Sequence, residues 1–266
     1  ELKCINGTPA GQTFTITAGY PIDYGFGINN VPREFGISLN IGETHTFTTR
    51  EVVNLGDPIR IYGAPNIAGI DLSPMAQQLA VITIANVYDE ALGTKLTKLI
   101  VGRNGAINNE VTEISGLKQA TALEELDIQG MKKIISLDLS NHAYFKSLKA
   151  FGSGISSITF AKGSPLTNLE LPSTMRVLSL EQLPYLTINK LLLEDVSNIQ
   201  DINIISCPNL SQSFSFVYDW YKSKNSANKV CSLVMDNIIW ENVDSAQLLD
   251  LFKLKTDGGE LDLKGR

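Results

Sequence analysis

The sequence predicts an α/β repeat solenoid, mostly β with short backing helices towards its C-terminal end, preceded by a small all-β module. Three observations predict it. Apolar residues recur as L-x-x-L-x-L triplets from about Leu96 onward, and the middle residues Leu126, Leu137, Leu148, Ile158, Leu169 and Leu178 lie about ten or eleven positions apart. A unit that short cannot bury its own apolar edge and must stack on neighbours. Residues 1–75 show a different pattern, short runs alternating with period two between Gly, Pro, Asn and Asp clusters, which is that of antiparallel strands joined by turns. After Ile204 the unit lengthens and acquires helical spacing.

In the N-terminal module the alternating runs are Thr13–Thr17, Ile37–Ile41, His45–Thr48 and Ile59–Tyr62. They predict a β-sandwich-like fold over 1–75. Ala80–Ile84 is a further strand that feeds the repeats, so the second domain is placed at 76–266.

The triplets then run in order: Leu123-Leu126-Ile128, Ile134-Leu137-Leu139, Phe145-Leu148-Ala150, Ile155-Ile158-Phe160, Leu166-Leu169-Leu171 and Met175-Leu178-Leu180. Ile199-Ile202-Ile204 and Val230-Leu233-Met235 resume the series. Up to about residue 205, two strand-like triplets fall in each 21 or 22 residues, too few for a backing helix, and stacked neighbours would lie about 4.8 Å apart. From Ile202 to Leu233, and from Leu233 to Leu261, the added length reads as helix. Phe214, Val217, Tyr218 and Tyr221 recur at i, i+3, i+4 and i+7, and Asp244 is placed to cap a helix carrying Leu248, Leu249 and Phe252. Glu260–Lys264 looks like one more strand with no capping unit after it. An open solenoid end exposes an apolar edge, which predicts further chain beyond Arg266 or a partner against that edge. The start at Glu1 is consistent with a removed leader or a piece of a longer polypeptide.

Composition narrows function. A hydrophobic share of 43% against 19% charged residues is that of a folded protein. A net charge of −6 with no basic stripe disfavours nucleic acid, and no apolar run approaches the roughly 20 residues needed to span a bilayer. Cys4, Cys207 and Cys231 are too few and too scattered for a disulfide framework.

Catalysis finds little to work with. His45 sits in an alternating strand and His142 follows Asn141 at a repeat turn, and nothing gathers either into a nucleophilic triad. No metal-binding spacing and no phosphate-binding loop occur, so no catalytic residue, metal or cofactor is expected. Asn6-Gly7-Thr8 and Asn209-Leu210-Ser211 match the glycosylation triplet by chance. The contact positions are the outward residues of the strands, since side chains alternate between faces. They read Asp127, Lys149 and Glu170 on one side and Asp138, Thr159, Ser179 and Asn203 on the other, with Val234 and Ile100 breaking the polar pattern. Trp220 lies off the helical stripe that explains Tyr218, and is therefore the aromatic candidate for an exposed contact.

Ile199-x-x-Ile202-x-Ile204-x-x-Cys207 resembles the leucine-rich-repeat pattern L-x-x-L-x-L-x-x-N/C, with Cys207 at the buried turn position. The two-triplet unit, as in Leu137–Asn141 and Phe151–Ile155, is similar to repeats of gut Bacteroidota and their tailed phages. The cadence of Gly163–Thr174 and Leu178–Pro184 resembles virion and tail proteins of crAss-like phages. Ile22-Asp23-Tyr24-Gly25-Phe26-Gly27 is similar to the I-D-W-G-D-G stretch that opens the β-module before such repeats. It departs at Tyr24 and Phe26, so a polar or calcium-binding role of the second acid does not carry over. The resemblance implies a non-catalytic structural or interaction module of a virion, tail or tail-associated, with protein partners and room for an oligomer. The alternative it leaves open is a secreted or surface-attached bacterial protein that binds host protein or a surface glycan.

Overall fold

A computed structural model describes residues 1–84, 95–210, 214–223, 232–238, 240, 243–256 and 258–265. The fold is mostly β, with 41% of residues in strands and 14% in helices, arranged in several sheets with no barrel among the described residues. Two compact units divide the chain: Glu1–Ile135 with Leu148–Gly154, and Ser136–Ser147 with Ile155–Arg266.

The first unit begins with two sheets. One is built from β1 (Leu2–Cys4), β3 (Ile22–Ile28), β4 (Val31–Leu39), β6 (Ile59–Tyr62), β8 (Leu79–Thr83) and β10 (Ile114–Ser115), in the order β10-β8-β1-β6-β3-β4. The other contains β2 (Thr13–Ala18), β5 (Thr44–Thr48), β7 (Ile67–Asp71), β9 (Lys98–Ile100) and β11 (Glu125–Asp127), in the order β11-β9-β7-β2-β5. Phe14 and Phe47 of the second sheet meet Phe26 of the first at ring separations of 5.6 and 5.2 Å. All three rings are buried, and such edge-on and tilted aromatic contacts hold two sheets face to face. The predicted strands at 13–17, 45–48 and 59–62 lie in this sandwich. The run at 37–41 is the end of a longer strand that starts at Val31, and Ile41 falls outside it, 68% exposed.

Ile22–Ile28 is also a strand, despite two glycines that weaken strand propensity. Tyr24 and Phe26 point inwards. On the opposite face a Cβ at Gly25 would sit 2.8 Å from the Phe35 ring, and one at Gly27 would sit 3.2 Å from the Tyr62 ring. Those two rings, 5.5 Å apart and inclined at 66° to each other, cover the backbone that the glycines leave bare. Tyr24 is fully buried with its hydroxyl donating to the Tyr20 carbonyl at 2.6 Å, which meets the requirement that a buried phenol find an acceptor.

Both sheets continue into parallel strands. Gly69-Ile70-Asp71 of β7 pairs in parallel with Lys98-Leu99-Ile100, which pairs in parallel with Glu125-Leu126-Asp127. On the first sheet Ile82 pairs in parallel with Ile114. Strands β7 and β8, on either side of the expected boundary at 75, thus both lie in one compact unit with the strands that follow. Leu148 and Lys149 of β13 join this unit beside β11, where Ile128 donates to the Lys149 carbonyl at 2.9 Å.

The second unit holds β12 (Ser136–Leu139), the first residue of β13 (Ser147–Lys149), β14 (Ser157–Phe160), β15 (Asn168–Leu171), β16 (Val177–Glu181), β17 (Leu191–Leu193), β18 (Asp201–Ile205), α1 (Phe214–Ser223), β19 (Ser232–Ile238), α2 (Ser245–Thr256) and β20 (Glu260–Gly265). Every strand pair in it is parallel: β12 with β14, β15 with β17, and β16-β18-β19-β20 in a four-stranded sheet. Registers align the aliphatics, Leu137 opposite Ile158, Leu169 opposite Leu191, and Leu178, Ile202, Leu233 and Leu261 in one row. All members of the triplets from Leu123 to Ile204 are buried, as are Leu233 and Met235; Val230 lies outside the described residues. Because the period is two, one misplaced register would have turned each aliphatic outwards.

The two helices fall in the lengthened units. Asp244 accepts the Ala246 amide at 2.7 Å and so caps α2. Their buried faces agree with the expected ones at Val217 and depart from them at Trp220 and in α2. In α1 the buried positions are Val217 and Trp220, whereas the side chains of Phe214 and Tyr218 lie outside the described set. In α2 they are Leu251 and Leu254, and Leu249 and Phe252 remain 66% and 49% exposed. In α2 the i, i+3 pairing that faces the core is therefore out of phase with the one read from the largest apolar residues.

Candidate interaction surface

The outward residues of the strands form short rows whose composition follows from strand register. In the first unit Asp71 lies beside Ile100 and Ile100 beside Asp127, with Lys149 on the next strand. In the second unit Asp138 is opposite Thr159, Glu170 is opposite Leu192, and Ser179 stands next to Asn203, which is followed by Val234 and Asp262. Asp138, Lys149 and Thr159 are exposed, and Asp127, Glu170, Ser179 and Asn203 are half-buried. Register thus brings together Asp127 with Lys149, Asp138 with Thr159, and Ser179 with Asn203, the last pair linked by the Asn203 amide at 3.5 Å from Ser179 Oγ.

Trp220 corrects the expectation placed on it. The indole is fully buried and its Nε1–H donates to the Ile199 carbonyl at 2.8 Å, so it packs in the core instead of presenting a surface contact. A large ring with a single donor is accommodated inside when one carbonyl is in reach.

The carboxylates serve a second purpose. Asp71 accepts the Ser73 amide at 2.8 Å, Asp127 the Gln129 amide at 3.1 Å, Asp138 the Ser140 amide at 3.1 Å and Asp195 the Ser197 amide at 2.8 Å. This i to i+2 bond is the Asx turn, by which a short acid folds the backbone as it leaves a strand. Asp127 also accepts the Gln129 side-chain amide at 3.0 Å. Burial pushes the Asp127 carboxyl above its usual range, while the Gln129 bonds and the Lys149 ammonium pull it down and Asp71 pushes it up. These acids are fixed in direction by their own turns, and what they offer a partner is a preset oxygen, not a mobile side chain.

Asn108 was not visible in the triplet pattern, and it is the most fully engaged polar side chain of the first unit. It is 2% exposed. Its Nδ2 donates to the carbonyls of Ala76 and Leu79 at 2.8 and 2.7 Å, and its Oδ1 accepts the amides of Glu110 and Val111 at 2.9 Å each. All four bonds an asparagine amide can make are made. The signal available in sequence was an amide residue between the apolar Val101 and Val111.

The remaining chemistry-bearing residues are structural in position. Cys207 is buried, accepts the Leu183 amide at 3.4 Å and lies 3.4 Å from the Leu180 and Ile205 carbonyls; burial pushes its thiol up to about 11. Cys4 is buried likewise and pushed up to about 11, so neither offers a thiolate nucleophile near neutral pH. Cys231 lies outside the described residues. His142 is fully buried beside the Phe145 ring, and His45 lies 2.7 Å from Glu34 with its ring against Phe47. Among the described residues there is no group of three His, Cys, Asp or Glu able to hold a metal ion, and no helix is long and apolar enough to cross a membrane. A scan against protein-family models finds none that matches the chain, and searches of curated proteins and of solved structures return no match either.

Proposed function

We propose that the chain is a non-catalytic leucine-rich-repeat module, a structural and interaction component of a virion in the tail or tail-associated apparatus of a crAss-like phage. The observation that carries the repeat reading is register: aliphatic residues of β12 and β14, and of β16, β18 and β19, stand side by side on parallel strands and are buried, and mostly polar residues fill the alternate row. A buried Cys207 bonded to the turn above it supports the repeat reading as well, since that is the position where the pattern has Asn or Cys. The assignment to a virion rests on the sequence cadence. A protein partner suits a surface whose acids are oriented in advance by Asx turns, because preset groups lose little freedom on binding.

Mass spectrometry of purified crAss-like phage particles tests the assignment. The parent polypeptide should be found among the virion proteins and labelled by antibody at the tail end. Its absence from particles, together with its recovery from the surface of the bacterial host, would replace this reading with that of a bacterial surface protein.

A further inference from the structure

The chain contains two Asn-Gly steps, Asn6-Gly7 and Asn104-Gly105, both in the first unit. They sit in turns of the same kind. The Thr8 amide donates to the Ile5 carbonyl at 3.3 Å and the Ala106 amide to the Arg103 carbonyl at 3.0 Å, so each dipeptide occupies the two central positions of a β-turn. Gly7 and Gly105 have φ of +74° and +79°, the left-handed value that a type II turn requires of its third residue. All four residues are exposed. The turns differ in what holds them. Gly7 donates its amide to Asn54 Oδ1 at 3.2 Å, and Asn54 is oriented for this by its own bonds to Asp57. Thr8 exchanges both backbone bonds with Val53, at 3.0 and 2.9 Å, and its hydroxyl donates to the Ile5 carbonyl at 2.8 Å. Among the described residues the Gly105 amide has no acceptor and the Asn104 side chain has no partner.

We propose that Asn104 is a site of spontaneous covalent modification through a succinimide, and that Asn6 is protected from the same reaction by Asn54. The nucleophile is the backbone nitrogen of the following residue, and glycine has no side chain to obstruct its approach. Hydroxide takes the Gly105 amide proton and the nitrogen bonds to Asn104 Cγ. The Cγ–Nδ2 bond then breaks, and ammonia leaves with a proton from water, which restores the hydroxide. Water opens the ring. Breaking the nitrogen–Cγ bond gives aspartate, and breaking the nitrogen bond to the main-chain carbonyl gives isoaspartate, whose main chain runs through Cβ and Cγ. The net change is one water gained and one ammonia lost, with nothing oxidised or reduced. At Gly7 the amide proton is already given to Asn54, which favours the unreactive protonated nitrogen and fixes the peptide plane. A net hydrogen bond of about 1 kcal/mol corresponds to a reaction about fivefold slower. Either product places a negative charge beside Arg103. Isoaspartate also lengthens the main chain in the turn that carries Ala106, whose carbonyl oxygen fills the place of a Cβ on Gly130. This chemistry goes beyond the virion reading and stands whether or not that reading holds.

Peptide mapping by mass spectrometry of the folded chain, kept for several weeks in mildly alkaline buffer, tests it. The peptide holding Asn104 should gain the mass difference between ammonia and water and split into aspartyl and isoaspartyl forms. It should do so at least about fivefold faster than the peptide holding Asn6. In concentrated urea, where neither turn persists, the two rates should converge. Asn54→Ala should raise the folded-state rate at Asn6 several-fold and leave the rate at Asn104 unchanged. Equal rates at the two sites in the folded protein, or a difference that persists in urea, would overturn the proposal. So would an Asn54→Ala variant that leaves Asn6 slow or speeds both sites alike.

Discussion

Replacing Asn108 by Ala removes four hydrogen bonds at one stroke, two given to the Ala76 and Leu79 carbonyls and two taken from the Glu110 and Val111 amides. At a net contribution of about 1 kcal/mol per bond the loss is about 4 kcal/mol. Three of the four backbone partners belong to the buried residues Ala76, Leu79 and Val111, and leaving such groups unsatisfied costs about 1–3 kcal/mol each. Glu110 is exposed, so its amide recovers a bond from water. The two counts describe the same loss, so the three buried groups at about 1–3 kcal/mol each set the range at about 3–9 kcal/mol, a large share of the roughly 5–15 kcal/mol that stabilises a domain. Asn108→Asp should fare no better, because it keeps the acceptor but presents a carboxylate to two carbonyls. Urea denaturation followed by circular dichroism measures the change, with the exposed Thr159→Ala as the control at less than about 0.5 kcal/mol. Both tryptophans, Trp220 and Trp240, belong to the second unit, so fluorescence shows whether that unit loses its fold in the same transition. An Asn108→Ala cost under about 1 kcal/mol would refute the view that this amide holds the turn together.

Leu169→Ala, at a fully buried position, should cost about 2–5 kcal/mol through lost burial and a residual cavity, against less than about 0.5 kcal/mol for the exposed Thr159→Ala; equal costs in denaturation would mean the register is wrong. Gly130 and Gly163 share φ +77, but a Cβ on Gly130 would lie 1.7 Å from the Ala106 carbonyl oxygen, whereas one on Gly163 meets nothing within 4 Å. Gly163→Ala should therefore cost about 1–2 kcal/mol for the left-handed backbone alone, and Gly130→Ala at least about 2 kcal/mol more, both read as shifts of the urea midpoint. In a Cys231→Ser background neither remaining thiol should react with Ellman's reagent at pH 8 in the folded protein. The folded thiols are pushed up to about 11 from 9.0, so the unfolded chain ionises first and stability falls as pH rises from 9 to 11. A Cys4→Ala/Cys207→Ala variant should lack that part of the alkaline decline in its urea midpoint.

The triplet strands are legible because a period of two with one buried face leaves a strong trace: Leu137 and Leu139 can point inwards only if Asp138 points out. The helices of the lengthened units are legible in position for a similar reason, but their phase is not. The largest apolar residues suggest a stripe through Phe252 and leave Trp220 outside the other, whereas packing places Leu251 and Trp220 inside. Nothing local distinguishes a buried Trp from an exposed one, since the deciding partner is the Ile199 carbonyl, 21 residues earlier. Strand β3 is obscured by Gly25 and Gly27, which read as turn formers until Phe35 and Tyr62, brought in by other strands, cover them. Among the contact residues, membership of an outward row is legible from alternation alone. The Asx turns of Asp127 and Asp138 are local and follow from an acid two residues before a free amide. The fourfold engagement of Asn108 is not local, as its acceptors are 32 and 29 residues away.

At Gly102, Gly130 and Gly154 main chain rests on main chain: an added methyl would meet the carbonyl oxygens of Gln129, Ala106 and Lys132 at 2.1, 1.7 and 2.0 Å. Spacing on that margin is dictated by peptide groups in direct touch, with no side chain to act as an adjustable shim. The exposed positions 149 and 159, by contrast, can be varied without disturbing the framework. Variation tolerated by this protein should accordingly be lopsided, free along the polar rows and frozen where the glycines lie.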